Sequence, residues 1–241
     1  MWRWIFLGSV LVLTGGAIVV NHYMPSLLAP VRVKFRGSRS VDQVMKELQP
    51  KLGGKVSRMF GKAGCVFPGA RLTYIALKRE RFLEVWCARG DGKWGRVHEY
   101  RILAASGGPG PKLKQGDMQV PEGIYTITAL NPNSRFHLSM KIGYPNRFDL
   151  DMAAADGRRN PGGDIFIHGS FFSSGCIAVG DGPAEELFYM TRKTGRSKVS
   201  VIVMPYDFRR KKPVPPLGSP AWTGQLYDLI HSSVRGFQQG G

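Results

Sequence analysis

The pattern of hydrophobic and polar residues predicts short strands over most of the chain. Residues 72–86 contain two apolar runs separated by the charged sequence Lys-Arg-Glu-Arg, as in two strands joined by a solvated turn. Other β-branched and aromatic runs lack a helical period and predict strands over residues 95–106, 124–129, 136–142, 165–167 and 199–204. The body of the chain is therefore expected to be mainly β.

Helical periodicity occurs in three segments. Ser40 has the character of an N-cap, and the apolar residues after it fall on one helical face: Val41, Val44, Met45, Leu48 and Leu52. Asp181 is expected to N-cap a short helix that reaches Met190. A last amphipathic helix is predicted from Trp222, Leu226, Leu229 and Ile230. The polar run over residues 149–163 predicts a mobile lid.

The N-terminal segment has the composition of a membrane helix. Residues 4–20 carry no charge, and a helix of this length spans about 26 Å, close to a hydrocarbon core of roughly 30 Å. No convincing cleavage site follows, so an uncleaved signal anchor is expected. The basic residues between 32 and 39 favour a cytoplasmic body by the positive-inside rule, but they lie more than ten residues beyond the helix.

Charge and cysteine content narrow the classes of function. The 241-residue chain has 34 Lys and Arg against 17 Asp and Glu, a net charge of +17. The basic residues are scattered and no nucleic-acid-binding motif is present, so an anionic cell-envelope polymer is the expected partner and no nucleic acid is expected. Of the three cysteines, Cys65 and Cys87 flank the first strand region, and either bridge or remain buried thiols.

The candidate chemistry lies in residues 164–179, Asp-Ile-Phe-Ile-His-Gly-Ser-Phe-Phe-Ser-Ser-Gly-Cys-Ile-Ala-Val. A strand holds His168, and a Gly- and Ser-rich turn returns Cys176 beside it, where an imidazole can take the thiol proton. Gly175 and Gly169 suit tight turns, and backbone N–H groups near Gly175 would face a developing oxyanion. These are the parts of a cysteine acyl-transfer site.

Two other interpretations of the same residues stay open. Cys176 and His168 are each common as structural residues, and the short pattern alone is weak evidence for a catalytic pair. A zinc site built from Asp164, His168 and Cys176 lacks a fourth close ligand and the usual ligand spacing. We therefore expect no metal and no cofactor.

The sequence Ser-Ser-Gly-Cys-Ile-Ala over residues 173–178 resembles the catalytic motif of the L,D-transpeptidase (YkuD) family, Ser-His-Gly-Cys-hydrophobic-Arg. Ser174 replaces the motif histidine, Ala178 replaces the arginine, and the loop from His168 to Cys176 is shorter. These departures are similar to the YafK-like branch of the family. The sequences over residues 110–125 and 131–146 fit the same branch, so the resemblance extends over roughly residues 40–205.

The resemblance implies a mainly β fold, an L,D-transpeptidase-like β-sandwich or curled mixed sheet with a few peripheral α-helices, preceded by one N-terminal transmembrane helix. The expected organisation is a membrane anchor (1–22), a linker and amphipathic helix (23–62), the catalytic domain (63–206), and a basic Pro-rich segment with a C-terminal helix (207–241). It implies an inner-membrane-anchored protein with a periplasmic catalytic domain.

The implied activity is that of a peptidoglycan-modifying cysteine acyltransferase acting at meso-diaminopimelate centres of stem peptides. Cys176 would form the thioester and His168 would be the general base. One alternative is a hydrolase of the same fold that releases a peptidoglycan-linked lipoprotein or L,D-cross-links. A second is a non-catalytic cell-wall-binding module. The expected partners are stem peptides, a wall-linked lipoprotein for the hydrolase, and the inner membrane through the N-terminal helix.

The candidate substrate-binding residues surround the predicted pair: Ser170, Ser173, Tyr144, Asn146 and Asp164. Tyr144 and Asn146 flank Pro145 and either line a peptide groove or cap its loop. Asp164 is a candidate for orienting the imidazole or binding a substrate ammonium group. His137, in a predicted strand, is expected to be structural.

Overall fold

The computed structural model describes residues 38–238, a mainly β fold with one mixed nine-stranded sheet and a few helices. In chain order the strands are β1 (Leu72–Leu77), β2 (Phe82–Ala88), β3 (Trp94–Arg101), β4 (Ala104–Ala105), β5 (Gly123–Ser134), β6 (His137–Ile142), β7 (Phe166–His168), β8 (Ile177–Ala178) and β9 (Val199–Met204). The α-helices are α1 (Val41–Lys62), α2 (Arg147–Ala155), α3 (Asp181–Thr194) and α4 (Thr223–Val234), with a 3-10 turn at Arg196–Lys198.

The strand order in the sheet is β3-β2-β1-β9-β5-β6-β7-β8-β4. The β1–β9 and β7–β8 pairs are parallel and the others are antiparallel. The first part of β5 pairs with β9 and its later part with β6, with register shifts after Ile127 and Asn131. Such irregularities bend a strand and increase its twist, so β5 joins the two halves of a curved sheet.

Both faces of the central strands are covered. Along β1, Tyr74 and Ala76 belong to one hydrophobic cluster, and Ile75 and Leu77 belong to a second. Alternate side chains of a strand point to opposite faces, so every position of β1 is buried. This double burial explains why the central strands are continuously apolar in sequence.

Helix α1 covers the first face, as its amphipathic pattern predicts. Ser40 is its N-cap, and a capping box with Gln43 satisfies two of the backbone N–H groups that begin the helix. The helix buries five apolar side chains in the cluster shared with α3: Val44, Leu48, Leu52, Val56 and Phe60. Burial of each larger side chain contributes about 1.5–3 kcal/mol, which fixes the helix on the sheet.

Helix α4 covers the second face, and its buried side differs in one position from the predicted apolar residues. Leu226 and Ile230 are buried in the cluster that contains Ile75, but Leu229 is 48% exposed. Tyr227 is buried in that cluster instead.

Three other predicted elements differ from the structure. The strand over residues 95–106 is interrupted, since β3 ends at Arg101 and β4 pairs with β8 instead. The polar run predicted to be a lid contains α2, which is capped by Asn146. Asp181 does not cap α3, because Gly180 with φ 87° is the N-cap and makes no side-chain capping bond.

The prediction of an inner-membrane anchor is contradicted by the structure. Across residues 38–238, no helix is both long enough and apolar enough to cross a bilayer. The segment predicted to span the membrane, residues 4–20, lies outside the described residues, as does most of the predicted linker.

Cys65 and Cys87 form a disulfide that links the loop after α1 to β2. The sequence left open whether these cysteines form a disulfide or remain buried thiols, and the structure shows the disulfide. Cys176 is then the one free thiol among the three cysteines of the sequence.

Candidate active site

His168 ends β7, and Cys176 immediately precedes β8, the strand that pairs with β7. In this parallel pair, Ile167 lies opposite Ile177 and His168 opposite Ala178. If the alternation of β8 is extended back to Cys176, two residues before Ala178, its side chain is expected on the His168 side of the sheet. With strands about 4.8 Å apart and a rise of about 3.3 Å per residue, the two Cα atoms are separated by roughly 8 Å. An imidazole and a thiol on one face can bridge that span.

The imidazole of His168 is held in one orientation. Its Nδ1–H donates to the carbonyl oxygen of Gly169 at 2.6 Å, which leaves Nε2 as the acceptor nitrogen. The ring of Phe136 stacks on it with 4.7 Å between centroids. Burial lowers the pKa of His168, although the Gly169 carbonyl and the Asp181 carboxylate act in the opposite direction. The imidazole is therefore neutral at neutral pH, the form that a general base requires.

The thiol of Cys176 is also neutral at rest. Burial raises its pKa and Asp164 adds to this effect, while the backbone N–H of Phe166 and the charge of Lys112 oppose it. Its Sγ lies 3.8 Å from the carbonyl oxygen of Asp164, and within residues 38–238 it makes no hydrogen bond to His168. Proton transfer to Nε2 thus requires rotation of Sγ away from that carbonyl.

The two glycines of the predicted site have different structural reasons to be glycine. Gly175 has φ 93°, a conformation that strains other residues. A Cβ on Gly169 would lie 2.5 Å from Asp181 Oδ1 and 2.8 Å from the carbonyl oxygen of Phe136.

Neither glycine N–H is free in this conformation. Gly175 N–H donates to Ser106 Oγ at 2.6 Å, and Gly169 N–H donates to the Leu138 carbonyl at 3.2 Å. Within the described residues the N–H of Cys176 makes no hydrogen bond, so it is one of the donors available on this turn. The oxyanion role of the two glycines stays a prediction.

The candidate serines differ in their surroundings. Ser170 is buried, its N–H donates to Asp181 Oδ1 at 2.8 Å, and its hydroxyl has no partner within residues 38–238. The Ser173 hydroxyl donates to the Cys176 carbonyl at 2.6 Å and lies 3.3 Å from Ser106 Oγ. Ser173 therefore supports the turn around the thiol.

Tyr144 and Asn146 make structural contacts that favour the capping alternative. Tyr144 is buried, and its hydroxyl donates to the Pro161 carbonyl at 2.9 Å. Asn146 caps α2, with its Oδ1 accepting from Asp149 N–H at 3.0 Å. The segment around Pro145 is thereby held to the loop beside Cys176.

Asp164 does not contact the imidazole. Its carboxylate pairs with Lys141 at 2.7 Å, and its backbone carbonyl, not its side chain, faces Cys176. His137 pairs with Glu185 at 3.0 Å, as a structural residue would. Within residues 38–238 no group of three or more His, Cys, Asp or Glu side chains is placed to hold a metal ion.

Sequence reasoning missed Ser106, Phe136 and Lys112 and misassigned Asp181. Asp181 could be noticed in the sequence because it is an acidic residue at the start of a helix. Its carboxylate does not cap α3, however, but accepts from Ser170 N–H in the loop after His168. Ser106 and Phe136 have no local signal, because their roles arise from contacts with residues far along the chain.

A family model identifies the class of protein to which this chain belongs. The family model described as "L,D-transpeptidase catalytic domain" (YkuD) matches residues 73–203, more than half of the chain. The chain belongs to this family, which confirms the resemblance in its sequence.

A relative supports the YafK-like branch. The Escherichia coli (strain K12) protein named "Putative L,D-transpeptidase YafK" is 36% identical over 140 residues, 56% of this chain and 54% of that protein. The chain thus matches about half the length of this relative.

Two solved structures are similar to parts of the chain. The helical cell shape determining protein Pgp2 from Campylobacter jejuni has 25% identity and a TM-score of 0.47, covering 58% of this chain and 49% of that one. Mycobacterium tuberculosis L,D-transpeptidase 1 has 13% identity and a TM-score of 0.32, covering 56% and 62%.

Proposed function

We propose that this protein is a cysteine acyltransferase that acts at meso-diaminopimelate centres of peptidoglycan stem peptides, with Cys176 as nucleophile and His168 as general base. The observation that carries the proposal is the position of the one free thiol immediately before β8, the strand that pairs with β7, which ends at His168, whose pKa is lowered by burial. Membership of the L,D-transpeptidase family supports the class of reaction and of substrate.

The proposed reaction has two acyl transfers. Cys176 Sγ passes its proton to Nε2 of His168 and attacks the substrate carbonyl carbon, and the carbon–nitrogen bond of the leaving amine then breaks as the imidazolium returns the proton to that amine. The resulting thioester is attacked by an acceptor, whose proton goes to Nε2 and then to Sγ as the carbon–sulfur bond breaks. The N–H of Cys176 is suited to the oxyanion in both steps.

Charge and the disulfide support an envelope substrate. A net charge of +17 attracts the anionic polymers of a cell wall. The Cys65–Cys87 bridge is typical of an oxidising compartment, and the domain is compatible with the periplasm.

A second candidate is hydrolysis, in which water is the acceptor and a stem peptide or a wall-linked lipoprotein is released. Two departures from the family motif are the sequence features that we connect with this outcome: Ala178 in place of the arginine, and the short loop from His168 to Cys176. The acceptor is decided by product analysis.

The test uses the purified full chain with tetrapeptide muropeptides and with intact sacculi, followed by mass spectrometry. We expect a thioester on Cys176, loss of turnover to background in Cys176→Ala, and a loss of roughly 10²–10⁴-fold in His168→Gln. Ser197→Ala, in the 3-10 turn, is the control. New cross-links indicate transpeptidation, and released peptide or protein indicates hydrolysis.

Unchanged turnover in Cys176→Ala would remove the thiol from the mechanism. Salt-sensitive binding to sacculi without any turnover, unaffected by that substitution, would favour a non-catalytic wall-binding module instead.

A further inference from the structure

A closed set of hydrogen bonds ties the turn that carries Cys176 to Ser106, about 70 residues earlier in the chain. Gly175 N–H donates to Ser106 Oγ at 2.6 Å, and Ser106 N–H donates to Ser173 Oγ at 3.2 Å. Ser173 Oγ then donates to the Cys176 carbonyl at 2.6 Å. Ser106 therefore holds the turn through both its hydroxyl and its main chain.

Ser106 is itself fixed to the sheet. It follows β4, in which Ala105 pairs with Ile177 of β8, and its carbonyl accepts from Val120 N–H at 3.3 Å. Through these contacts, Ser106 fixes the turn to the edge of the sheet.

The contacts fix the peptide groups on either side of the one that matters for catalysis. The peptide group between residues 174 and 175 is held through the N–H of Gly175, and the peptide group between residues 176 and 177 is held through the carbonyl of Cys176. The peptide group between these two carries the unbonded N–H of Cys176. The turn also contains the positive φ of Gly175, a conformation that persists where surrounding contacts determine it.

We propose that Ser106 is a positioning residue for the nucleophile, which holds the turn at residues 173–176 so that the main chain and the N–H of Cys176 keep their orientation. This inference rests on the proposed acyl transfer, but its first readout does not depend on that activity.

The test compares Ser106→Ala, Ser106→Thr and the control Ser197→Ala under non-reducing conditions. The pH midpoint of alkylation by iodoacetamide reports the Cys176 thiol alone, because the other two cysteines are bridged. In Ser106→Ala a loosened turn admits water to the thiol, so the midpoint should fall towards the ordinary pKa of the group. The kcat for acyl transfer should fall about 10–100-fold with KM within twofold, a typical effect of losing an orienting partner.

Ser106→Thr retains the hydroxyl and should restore both the midpoint and kcat. An unchanged midpoint in Ser106→Ala would overturn the inference. Equal shifts in the Ala and Thr variants would also overturn it, since packing and not the hydroxyl would then be responsible. If the wild-type chain shows no turnover but the midpoint moves in Ser106→Ala alone, the positioning role stands and the proposed function fails.

A measurement on the unsubstituted protein covers the case in which Ser106→Ala does not fold. Amide hydrogen exchange should be slow at Gly175, whose N–H is bonded to Ser106, and fast at Cys176. Fast exchange at both positions would refute the positioning role.

Discussion

Substitution of Gly169 by alanine tests the packing behind the imidazole. A methyl group there would lie 2.5 Å from Asp181 Oδ1, 2.8 Å from the carbonyl oxygen of Phe136 and 3.0 Å from the Cβ of His137. The carboxylate can rotate, but the Phe136 carbonyl is backbone at the β5–β6 turn and cannot move alone. Overpacking of this kind costs about 1–3 kcal/mol.

For a domain of this size each kcal/mol lowers Tm by about 2–4 °C, so Gly169→Ala should unfold roughly 2–12 °C below wild type. Because the Gly169 carbonyl also holds Nδ1 of His168 at 2.6 Å, the imidazole should shift and kcat should fall up to about 100-fold.

The assay is thermal unfolding by circular dichroism together with muropeptide turnover. Gly182→Ala is the matched control, since a Cβ at this position of α3 meets nothing within 4 Å and alanine favours the helix. Its Tm should be unchanged or slightly higher. A Gly169→Ala variant with the Tm and turnover of Gly182→Ala would refute the packing argument.

Three further predictions concern the thiol, a buried ion pair and the stacked ring. Burial raises the pKa of Cys176, so alkylation of the wild-type chain should have its midpoint above the ordinary pKa of a cysteine thiol. The stability linked to the protonated thiol is fully present below the unfolded pKa and is lost as pH rises through the higher folded pKa. Lys78→Met leaves the fully buried Glu122 carboxylate without its cation, so the free energy of unfolding, measured by urea denaturation, should fall by about 3–5 kcal/mol. Substitution of the half-exposed Lys55 by Met should lower it by less than about 1 kcal/mol, and equal losses in the two variants would contradict this reasoning. Phe136→Leu removes the ring stacked on the His168 imidazole, an interaction worth about 0.5–1.5 kcal/mol. The kcat should therefore fall roughly tenfold in Phe136→Leu and remain near wild type in Phe136→Tyr; an unaffected Leu variant would count against a role in orientation.

The strands could be predicted because the residues that mark them are neighbours in the sequence. The apolar runs of β1 and β9 reflect burial on both faces, and the pattern after Ser40 marks the start and the buried face of α1. Helix α2 was missed because its apolar residues do not form one buried face. Phe148, Leu150 and Met152 alternate with charged residues, and the helix buries only Asp149 and Ala153, so the sequence shows no helical hydrophobic period.

The candidate site was predictable only in part. His168 and Cys176 stand out because their residue types imply chemistry, and the family motif gives them an order. Their nearness in the fold follows from the pairing of β7 with β8, which the sequence of neither strand specifies alone. Ser106 acts through hydrogen bonds that form only when β4 reaches β8, so its role has no trace in the neighbouring sequence.

The central place of β9 has a consequence for the growing polypeptide. Until residues 199–204 emerge from the ribosome, the β3-β2-β1 and β5-β6-β7-β8-β4 sections each present an open hydrogen-bonding edge, and no strand pairs them. Completion of the sheet must therefore wait for late synthesis and close a long loop, which favours slow maturation. A product that stops before Val199 would leave the β1 and β5 edges unpaired and should aggregate. Only chains that extend through β9 can therefore complete the sheet.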